Sequence, residues 1–204
     1  MLLVGLTGGI ASGKSLVTRV FRDLGAHIVD ADKIVHELLA VGQGAYREVA
    51  ARFGATVLAP DGSLDRRKIG DIVFNDPDQR AWLNACIHPR VFEAYQHQVR
   101  HIRDRDPNAV VVLDAALLIE TGYHTKMDRV VVVSADEEQQ LDRLMARDRF
   151  TRDQALARIR SQMPLSGKRA VANFVIDNRG TREATEHQAR EVFERLRIEA
   201  MQRT

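Results

Sequence analysis

The chain has 204 residues, of which 45% are hydrophobic and 28% are charged. This length supports one full hydrophobic core with room for an inserted subdomain, and the composition disfavours both wholesale disorder and a membrane-embedded fold. The 30 basic and 28 acidic residues are interleaved, so the net charge is only +2, and aromatic residues make up 5%. We therefore expect no nucleic-acid partner.

The cysteine content and the N-terminus indicate the compartment. Cys86 is the single cysteine, which rules out a disulfide within the chain and makes a reducing compartment the default. The N-terminus carries no basic n-region, and no apolar run approaches the roughly 18 residues of a membrane-spanning helix. We therefore expect a cytoplasmic protein with no membrane partner.

A glycine-rich loop follows the first predicted strand. Residues 2–6 are apolar and predict a buried parallel strand, while apolar residues recur at helical spacing from Leu16 to Leu24. Between them, residues 8–15 read G-G-I-A-S-G-K-S. This is the form G-x-x-x-x-G-K-S, set between a strand and a helix as a phosphate-binding loop requires. A surface turn that merely contains glycines is the alternative.

The residue types in this loop suit phosphate chemistry. Glycines at positions 8 and 13 allow positive φ and a close approach of the backbone to an anion, which the N–H groups and the following helix dipole then face. Lys14 can reach the β- and γ-phosphates, and the Ser15 hydroxyl can ligate Mg²⁺. We predict a nucleotide site formed by Gly8, Gly9, Ala11, Ser12, Gly13, Lys14, Ser15 and Leu16.

Two aspartates follow the second predicted strand. Residues 26–29 are expected to form that strand, which ends at Asp30. Carboxylates at the carboxyl end of a strand are where open α/β sheets keep their chemistry. Asp30 or Asp32 could act as a general base or hold the metal through water, and either could cap the helix that begins near Lys33. The spacing leaves the division of these roles open.

A helical region without a clear strand follows. Helices are expected at 37–40, 45–53, 66–74 and 78–105, and such an insertion beside a phosphate loop commonly carries the second substrate, a structural cover being the alternative. The pair His88-Pro89 predicts a kink or a restart of the last helix. Glu93, His97 and His101 have metal-capable spacing, but without a fourth ligand we interpret them as a solvated face.

The remaining strands complete an α/β pattern. Residues 109–115 form an apolar run with Asp114 near its end, similar in form to a Walker B strand whose aspartate orients Mg²⁺ or its water. Further strands are expected at 129–133 and 174–177. Ser134 with Glu137, and Thr151 with Gln154, predict capping boxes that open two helices, and Thr181 predicts the cap of the final helix.

The two helices predicted after the fourth strand are rich in arginine. Mobile arginines that close over a phosphoryl group stabilise its charge and exclude water. We expect one or two of the six to touch phosphate and the rest to be surface charges. They are Arg143, Arg147, Arg149, Arg152, Arg158 and Arg160.

Six segments, in this order and spanning almost the whole chain, resemble those of the dephospho-coenzyme A kinase family. The first is the phosphate loop, residues 6–15, followed by D-A-D at 30–32 and H-P at 88–89. The later ones are L-L-x-E on Leu117, Leu118 and Glu120, R-D-x-x-T on Arg147, Asp148 and Thr151, and I-D-N-x-G on Ile176, Asp177, Asn178 and Gly180.

The resemblance implies an activity and a fold. The activity is Mg²⁺- and ATP-dependent phosphorylation of the ribose 3′-hydroxyl of dephospho-CoA, the last step of coenzyme A synthesis. The fold is that of a P-loop nucleotide kinase, a three-layer α/β/α arrangement with a five-stranded parallel sheet. Residues 1–34 and 106–204 would form the core, 35–105 an inserted helical substrate domain, and 136–165 a two-helix lid.

The resemblance also implies roles for individual residues. Asp32 would be the general base, Lys14 a catalytic cation and Arg147 a lid contact to phosphate. Asn178 and Gly180 would lie beside the adenine. The substrate contacts would be Asp32, His88, Leu117 and Glu120.

Three positions depart from the family pattern. Leu16 stands where many relatives have threonine, and Ala116 stands where proline precedes the paired leucines. Neither change removes a phosphate donor. Asn173 replaces the usual aspartate, which removes a charge at that position.

Rival functions make distinct demands on the sequence. A regulatory GTP-binding protein needs an N-K-x-D motif, and no Asn-Lys pair occurs. A short-chain oxidoreductase needs Tyr-x-x-x-Lys, and none of the three tyrosines is followed by such a lysine. A kinase for another small alcohol or nucleoside, and an inactive ATP-binding scaffold, remain alternatives.

Overall fold

The computed structural model describes residues 1–203, which contain five strands and nine α-helices. The chain divides into two compact units. One, which we call the loop unit, comprises Met1–Val29 together with the chain from Val99 onward. The other, which we call the helical unit, is Asp30–Gln98. Each helix in the described part of the chain is too short or too polar to cross a membrane.

The five predicted strands are present and form one parallel sheet, which confirms the predicted fold class. The strand order is β2-β3-β1-β4-β5. Leu6 of β1 lies beside Asp114 of β3, and Gly8 lies beside Val133 of β4. The carboxyl ends of the three central strands therefore meet where the glycine-rich loop begins. The strands are β1 (Leu2–Gly8), β2 (His27–Asp30), β3 (Val110–Asp114), β4 (Arg129–Ser134) and β5 (Phe174–Asp177).

One helix follows β1, four lie between β2 and β3, three lie between β4 and β5, and one follows β5, whereas β3 and β4 are joined without an α-helix. Short 3₁₀ turns lie at Ala55–Val57 and Tyr123–Lys126. In chain order the helices are α1 (Lys14–Asp23), α2 (Ala31–Leu38), α3 (Gly44–Phe53), α4 (Arg66–Asn75), α5 (Pro77–Arg105), α6 (Glu137–Asp148), α7 (Arg152–Arg160), α8 (Leu165–Ala170) and α9 (Arg182–Gln202).

The core of the loop unit lies between the sheet and the pair α1 and α9. Alternate residues of β1, such as Val4 and Leu6, point to this side because side chains of a strand alternate between its two faces. Phe21 of α1 and Phe193 of α9 meet with ring centroids 5.4 Å apart. Burial of a large apolar side chain contributes about 1.5–3 kcal/mol. This packing fixes α1 directly after β1 and holds the ends of the intervening loop.

The helices α6 and α7 form an antiparallel pair with a small apolar cluster of their own. Leu141, Leu144 and Ala155 are its buried members, and Ile10 and Ala11 of the glycine-rich loop pack against them. We call this pair the lid, after the role predicted for it. The lid therefore rests on the loop within the same compact unit.

One of the two predicted capping boxes is wrong. Ser134 is the last residue of β4, paired with Asp177 of β5, so it is not available to cap a helix. Asp136 caps α6 instead, together with Gln139. The box of Thr151 and Gln154 is confirmed, as is the cap at Thr181.

Asn173, the departure from the family pattern, precedes β5 and binds β4. Its side-chain Oδ1 accepts from Val130 N at 2.7 Å, and its own N–H donates to Val130 O at 2.9 Å. This contact needs a hydrogen-bond acceptor and no charge, so asparagine serves it as well as aspartate.

The helical unit holds α2 to α4 and most of α5. Pro89 lies inside α5, which is continuous from Pro77 to Arg105. Of the two predicted alternatives, the restart is therefore excluded, and the kink stays a prediction. Tyr46 Oη donates to Gly62 O at 2.6 Å, and Arg52 stacks on the Trp82 ring at 5.4 Å.

Candidate active site

The glycine-rich loop at residues 8–15 has the backbone that an anion-binding loop requires. Ala11 and Gly13 both have positive φ, at 56° and 95°. A Cβ at position 8 would lie 2.7 Å from Val133 O, and one at position 13 would overlap the Asn178 side chain. Gly13 precedes α1, and no side chain in the described structure caps that helix. Its first N–H groups are therefore available to an anion.

Asn178 braces the loop from the end of β5. Its backbone N–H donates to Ser134 O at 2.7 Å, and its Nδ2 donates to Ser12 O at 2.8 Å. Thr185 Oγ1 donates to Asn178 Oδ1 at 2.8 Å, so both polar atoms of the buried amide are engaged. The predicted contact of Asn178 and Gly180 with adenine stays a prediction. The structure adds a second role, because the Asn178 side chain holds the loop backbone.

Two glutamines hold the other side of the loop. Gln140 Nε2 of α6 donates to Ile10 O at 2.6 Å, and Ile10 N donates to Gln162 Oε1 at 2.8 Å. Both backbone polar groups of Ile10 are thus bound by side chains from the lid and from the connector that follows it. The sequence analysis missed both glutamines. They lie 130 and 152 positions away along the chain, and no local pattern marks such distant contacts.

Lys14, the predicted phosphate-binding lysine, forms an ion pair with Asp114 at the end of β3. Thr18 Oγ1 donates to Asp114 Oδ2 at 2.6 Å, and Asp114 is buried. The register that puts Asp114 beside Leu6 brings this carboxylate to the first turn of α1. A triphosphate at the loop would therefore compete with Asp114 for the Lys14 ammonium.

The oxygen donors near Lys14 fit a magnesium ion that carries its own phosphate and water ligands. Ser15 is exposed in the first turn of α1, and Asp114 supplies a carboxylate. Within residues 1–203 no group of three or more His, Cys, Asp and Glu side chains could hold a metal. Mg²⁺ in phosphoryl-transfer enzymes typically takes only one or two protein ligands. The exposed Glu93, His97 and His101 form no such group.

Arg147, the predicted phosphate contact, is bound within the lid. Its Nε and Nη2 donate to the two Asp148 carboxylate oxygens, each at 2.8 Å, and this pairing raises the pKa of Arg147 and lowers that of Asp148. Arg152 likewise pairs with Glu138 at 2.9 Å. The predicted role of Arg147 would require it to leave Asp148.

Arg143 is the lid arginine that faces the loop. Its Nη2 donates to Asn178 O at 3.1 Å, and Asn178 is the residue that holds Ser12. Its Nη1 is buried and has no hydrogen-bond partner among the residues described. A buried cationic donor without a partner is costly. We therefore expect this group to face an anionic ligand.

The aspartates after β2 differ in their local roles. Asp30 caps α2, since its Oδ1 accepts from Lys33 N at 3.0 Å. Of the two aspartates, Asp30 is therefore the helix cap. Asp32 lies in the first turn of α2 and is exposed. Its role as the general base stays a prediction.

The other predicted substrate contacts fall in both units. His88 lies in the helical unit, and burial lowers its pKa from the ordinary value of 6.5. Leu117 and Glu120 lie in the loop unit. Leu117 is 44% exposed, whereas Glu120 accepts from the Lys168 ammonium.

Comparison with known proteins identifies the family. The model of the dephospho-CoA kinase family matches residues 2–183. The chain belongs to this family. Dephospho-CoA kinases of Geobacter metallireducens and Moorella thermoacetica are 46% and 43% identical to it, over 92% and 96% of this chain and 93% and 92% of theirs. This kinase is therefore a phosphotransferase.

Solved structures agree with this assignment. A Thermus thermophilus protein is 31% identical to the kinase with a TM-score of 0.81, over 96% of this chain and 97% of that one. Dephospho-CoA kinase from Campylobacter jejuni is 26% identical with a TM-score of 0.70, over the same shares. Shikimate kinase from Acinetobacter baumannii, at 17% identity and a TM-score of 0.51, shares the fold.

Proposed function

We propose that this kinase transfers the γ-phosphoryl group of ATP to the ribose 3′-hydroxyl of dephospho-CoA, giving coenzyme A and ADP. Family membership over most of the chain supports the substrate pair. The observation that carries the chemistry is the Lys14–Asp114 ion pair, set between a positive-φ loop and the uncapped start of α1. These groups match what a bound triphosphate requires.

The triphosphate is bound by the loop. Backbone N–H groups around Gly13 and at the start of α1 bind the β-phosphate, and Lys14 turns from Asp114 toward the β- and γ-phosphates. The Ser15 hydroxyl and the Asp114 carboxylate would hold Mg²⁺, which neutralises phosphate charge. Arg143 adds a second cation from the lid, because its buried Nη1 lacks a partner in the described structure.

The acceptor is activated by Asp32. Its carboxylate accepts the proton of the 3′-hydroxyl as the ribose oxygen forms its bond to the γ-phosphorus. The bond from that phosphorus to the β–γ bridging oxygen breaks in line, and ADP leaves with the electron pair. Asp30 caps α2 through its Oδ1, and the family resemblance assigns the base to Asp32.

Four further residues and one turn keep the roles that the family resemblance implies. His88, Leu117 and Glu120 are proposed contacts of dephospho-CoA. The turn from Asn178 to Gly180 is proposed to border the adenine. Arg147 is proposed to reach phosphate after it exchanges its partner Asp148 for the nucleotide.

An acceptor survey tests this function. ADP release is measured with ATP and Mg²⁺ across dephospho-CoA, nucleosides and simple sugars, and the product is identified by mass and by its phosphorus NMR signal. We expect rapid turnover with dephospho-CoA alone and a phosphate on the 3′-oxygen. Faster turnover with a nucleoside or a sugar would assign the enzyme to another kinase activity. Binding of ATP without transfer to any acceptor would indicate an inactive scaffold.

A further inference from the structure

A buried lysine lies on α8, outside the groups that the proposed chemistry uses. The Lys168 side chain is 0% exposed. Its Nζ donates to Glu120 Oε1 at 2.8 Å, to Ala116 O at 2.8 Å and to Gly8 O at 3.4 Å. An ammonium has three donors, so these acceptors satisfy all of them. A charged group this deeply buried is costly unless it is fully paired.

The acceptors of Lys168 belong to the base of the phosphate loop. Gly8 is the last residue of β1 and the first of the loop. Ala116 O also accepts from Thr7 Oγ1 at 3.0 Å. One ammonium therefore joins α8 to the end of β1 and to the segment that follows β3.

Glu120 extends this contact to the connector between α7 and α8. Its Oε1 also accepts from Met163 N at 3.1 Å. The adjacent Gln162 binds Ile10 N inside the loop. The connector is thus bound to the loop directly through Gln162 and to the base of the loop through Glu120 and Lys168. These contacts lie just after α7, the second helix of the lid, on the segment that leads to α8.

We propose that Lys168 and Glu120 are positioning residues for ATP. Their ion pair fixes the peptide of Gly8 and the end of the lid, so that the loop is held in the conformation that binds the triphosphate. The inference rests on the proposed ATP site. It goes beyond that site because neither residue needs to touch the nucleotide.

A double substitution separates this role from simple stabilisation. Lys168→Met leaves the partly exposed Glu120 carboxylate without its cation and the carbonyls of Gly8 and Ala116 without their ammonium donor, so we expect a lower Tm and at least a tenfold weaker Kd for ATP. Adding Glu120→Met removes both charges. Lys168 is fully buried and the Glu120 side chain is 22% exposed, and replacement of both members of an ion pair held largely away from water by apolar side chains often restores stability. We therefore expect the double variant to recover its Tm but to keep the weakened ATP binding. Because Glu120 is itself a proposed contact of dephospho-CoA, the KM for dephospho-CoA is compared in Lys168→Met alone, where it should stay within about twofold of wild type.

Calorimetry with ATP, thermal melts and steady-state kinetics on the full chain give these values. Arg129→Met is the matched control, because it breaks an ion pair of the loop unit, Arg129 with Glu199 at 2.8 Å, at the amino end of β4, whereas the loop lies at the carboxyl ends of the strands. Its ATP affinity should stay at the wild-type value. Glu120→Gln serves if Lys168→Met does not fold, since the amide keeps the size and an acceptor for Lys168.

The outcomes separate this inference from the proposed function. Recovery of both Tm and ATP affinity in the double variant would overturn the positioning role. Wild-type ATP affinity in both Glu120→Gln and the double variant would overturn it as well. Weakened ATP binding in a variant whose Tm has recovered would establish it. If the wild-type chain itself fails to bind ATP, the proposed function fails first, and that result is visible before any variant is made.

Discussion

The two compact units differ in how deeply they bury the side chains that we assign to chemistry. In the loop unit, Lys14, Asp114 and Asn178 are each held by a hydrogen bond or an ion pair, and Asp114 and Asn178 are buried. In the helical unit, Asp32 is exposed and His88 is half-buried. Burial lowers the local dielectric and strengthens each electrostatic contact. The contrast teaches that Asp114 and Asn178, at the proposed triphosphate site, are shielded from water, while the proposed acceptor groups Asp32 and His88 lie nearer to solvent.

Lys14→Met is expected to have the largest effect, and it tests the loop unit. It removes the cation that faces the β- and γ-phosphates, and loss of such a charge in a preorganised site costs on the order of 10³-fold in kcat/KM. Fold should survive, because Asp114 keeps its bond from Thr18. Steady-state kinetics with ATP and dephospho-CoA, together with a thermal melt, measure both effects.

The exposed Lys68 in the helical unit supplies the control for that experiment. Its ammonium lies 3.9 Å from Asp65 at the protein surface, and surface ion pairs contribute little. Lys68→Met should therefore retain wild-type kcat/KM. Turnover of Lys14→Met within tenfold of wild type would mean that the loop unit does not hold the phosphates in the way proposed.

Asp32→Asn tests the helical unit. The substitution removes a proton acceptor but keeps the shape of the side chain, so ATP affinity should stay nearly intact while kcat falls by about 10²-fold or more. Calorimetry with ATP and single-turnover kinetics separate these two quantities.

Asp30→Asn is the matched control, two positions away. Asparagine caps helices as well as aspartate does, so this variant should keep the cap of α2 and most of the activity. If Asp30→Asn were the variant that loses turnover, the general base would be Asp30 and not Asp32.

Sequence reasoning succeeded where the signal is local or strongly periodic. Apolar runs gave the five strands, and the loop was recognisable because residues 8–15 combine two glycines with the Lys14-Ser15 pair at fixed spacing. It failed at the start of α6, where both Ser134 and Asp136 head a plausible capping box. Pairing of Ser134 with β5 decided between them, and strand pairing between residues 43 positions apart cannot be seen in a single local window.

The contacts that hold the loop could not be predicted either, because they also join residues far apart along the chain. Gln140, Gln162 and Lys168 bind backbone atoms of the loop, and backbone partners leave no complementary residue type in the sequence. A lysine such as Lys168 is normally expected on the surface. Arg143 was one of six arginines in and between the lid helices, and it is distinguished by its bond to Asn178 O and by its buried Nη1, which has no partner among the residues described.

Arg143→Met sharpens the contrast within the lid. A hydrogen bond to a charged group contributes roughly 1.5–3 kcal/mol, so we expect the KM for ATP to rise by about tenfold or somewhat more. Arg152→Met is the control, because Arg152 pairs with Glu138 on the exposed side of the lid, and its KM should remain within about twofold of wild type. Equal effects in the two variants would show that the lid arginines act only through overall charge.

His88 provides the smallest expected effect and concerns stability. Burial lowers its pKa below the ordinary 6.5, so between the folded and unfolded pKa values the unfolded chain binds a proton that the folded chain does not. Stability should therefore rise with pH through this window and be lost as pH falls below about 6.5. His88→Gln removes the titrating group, and thermal melts from pH 7.5 to pH 5 should show a shallower fall in Tm, by on the order of 1–2 °C.

The matched control for this pH series is His187→Gln, on the exposed face of α9 in the loop unit. The wild-type slope between pH 7.5 and pH 5 should persist in that variant, because its ring remains in water in both states. A slope that is the same in His88→Gln and in wild type would mean that burial of His88 does not limit the acid stability of the helical unit. A steeper slope in His88→Gln would reverse the sign argued here, since it would require the folded state to favour the protonated ring.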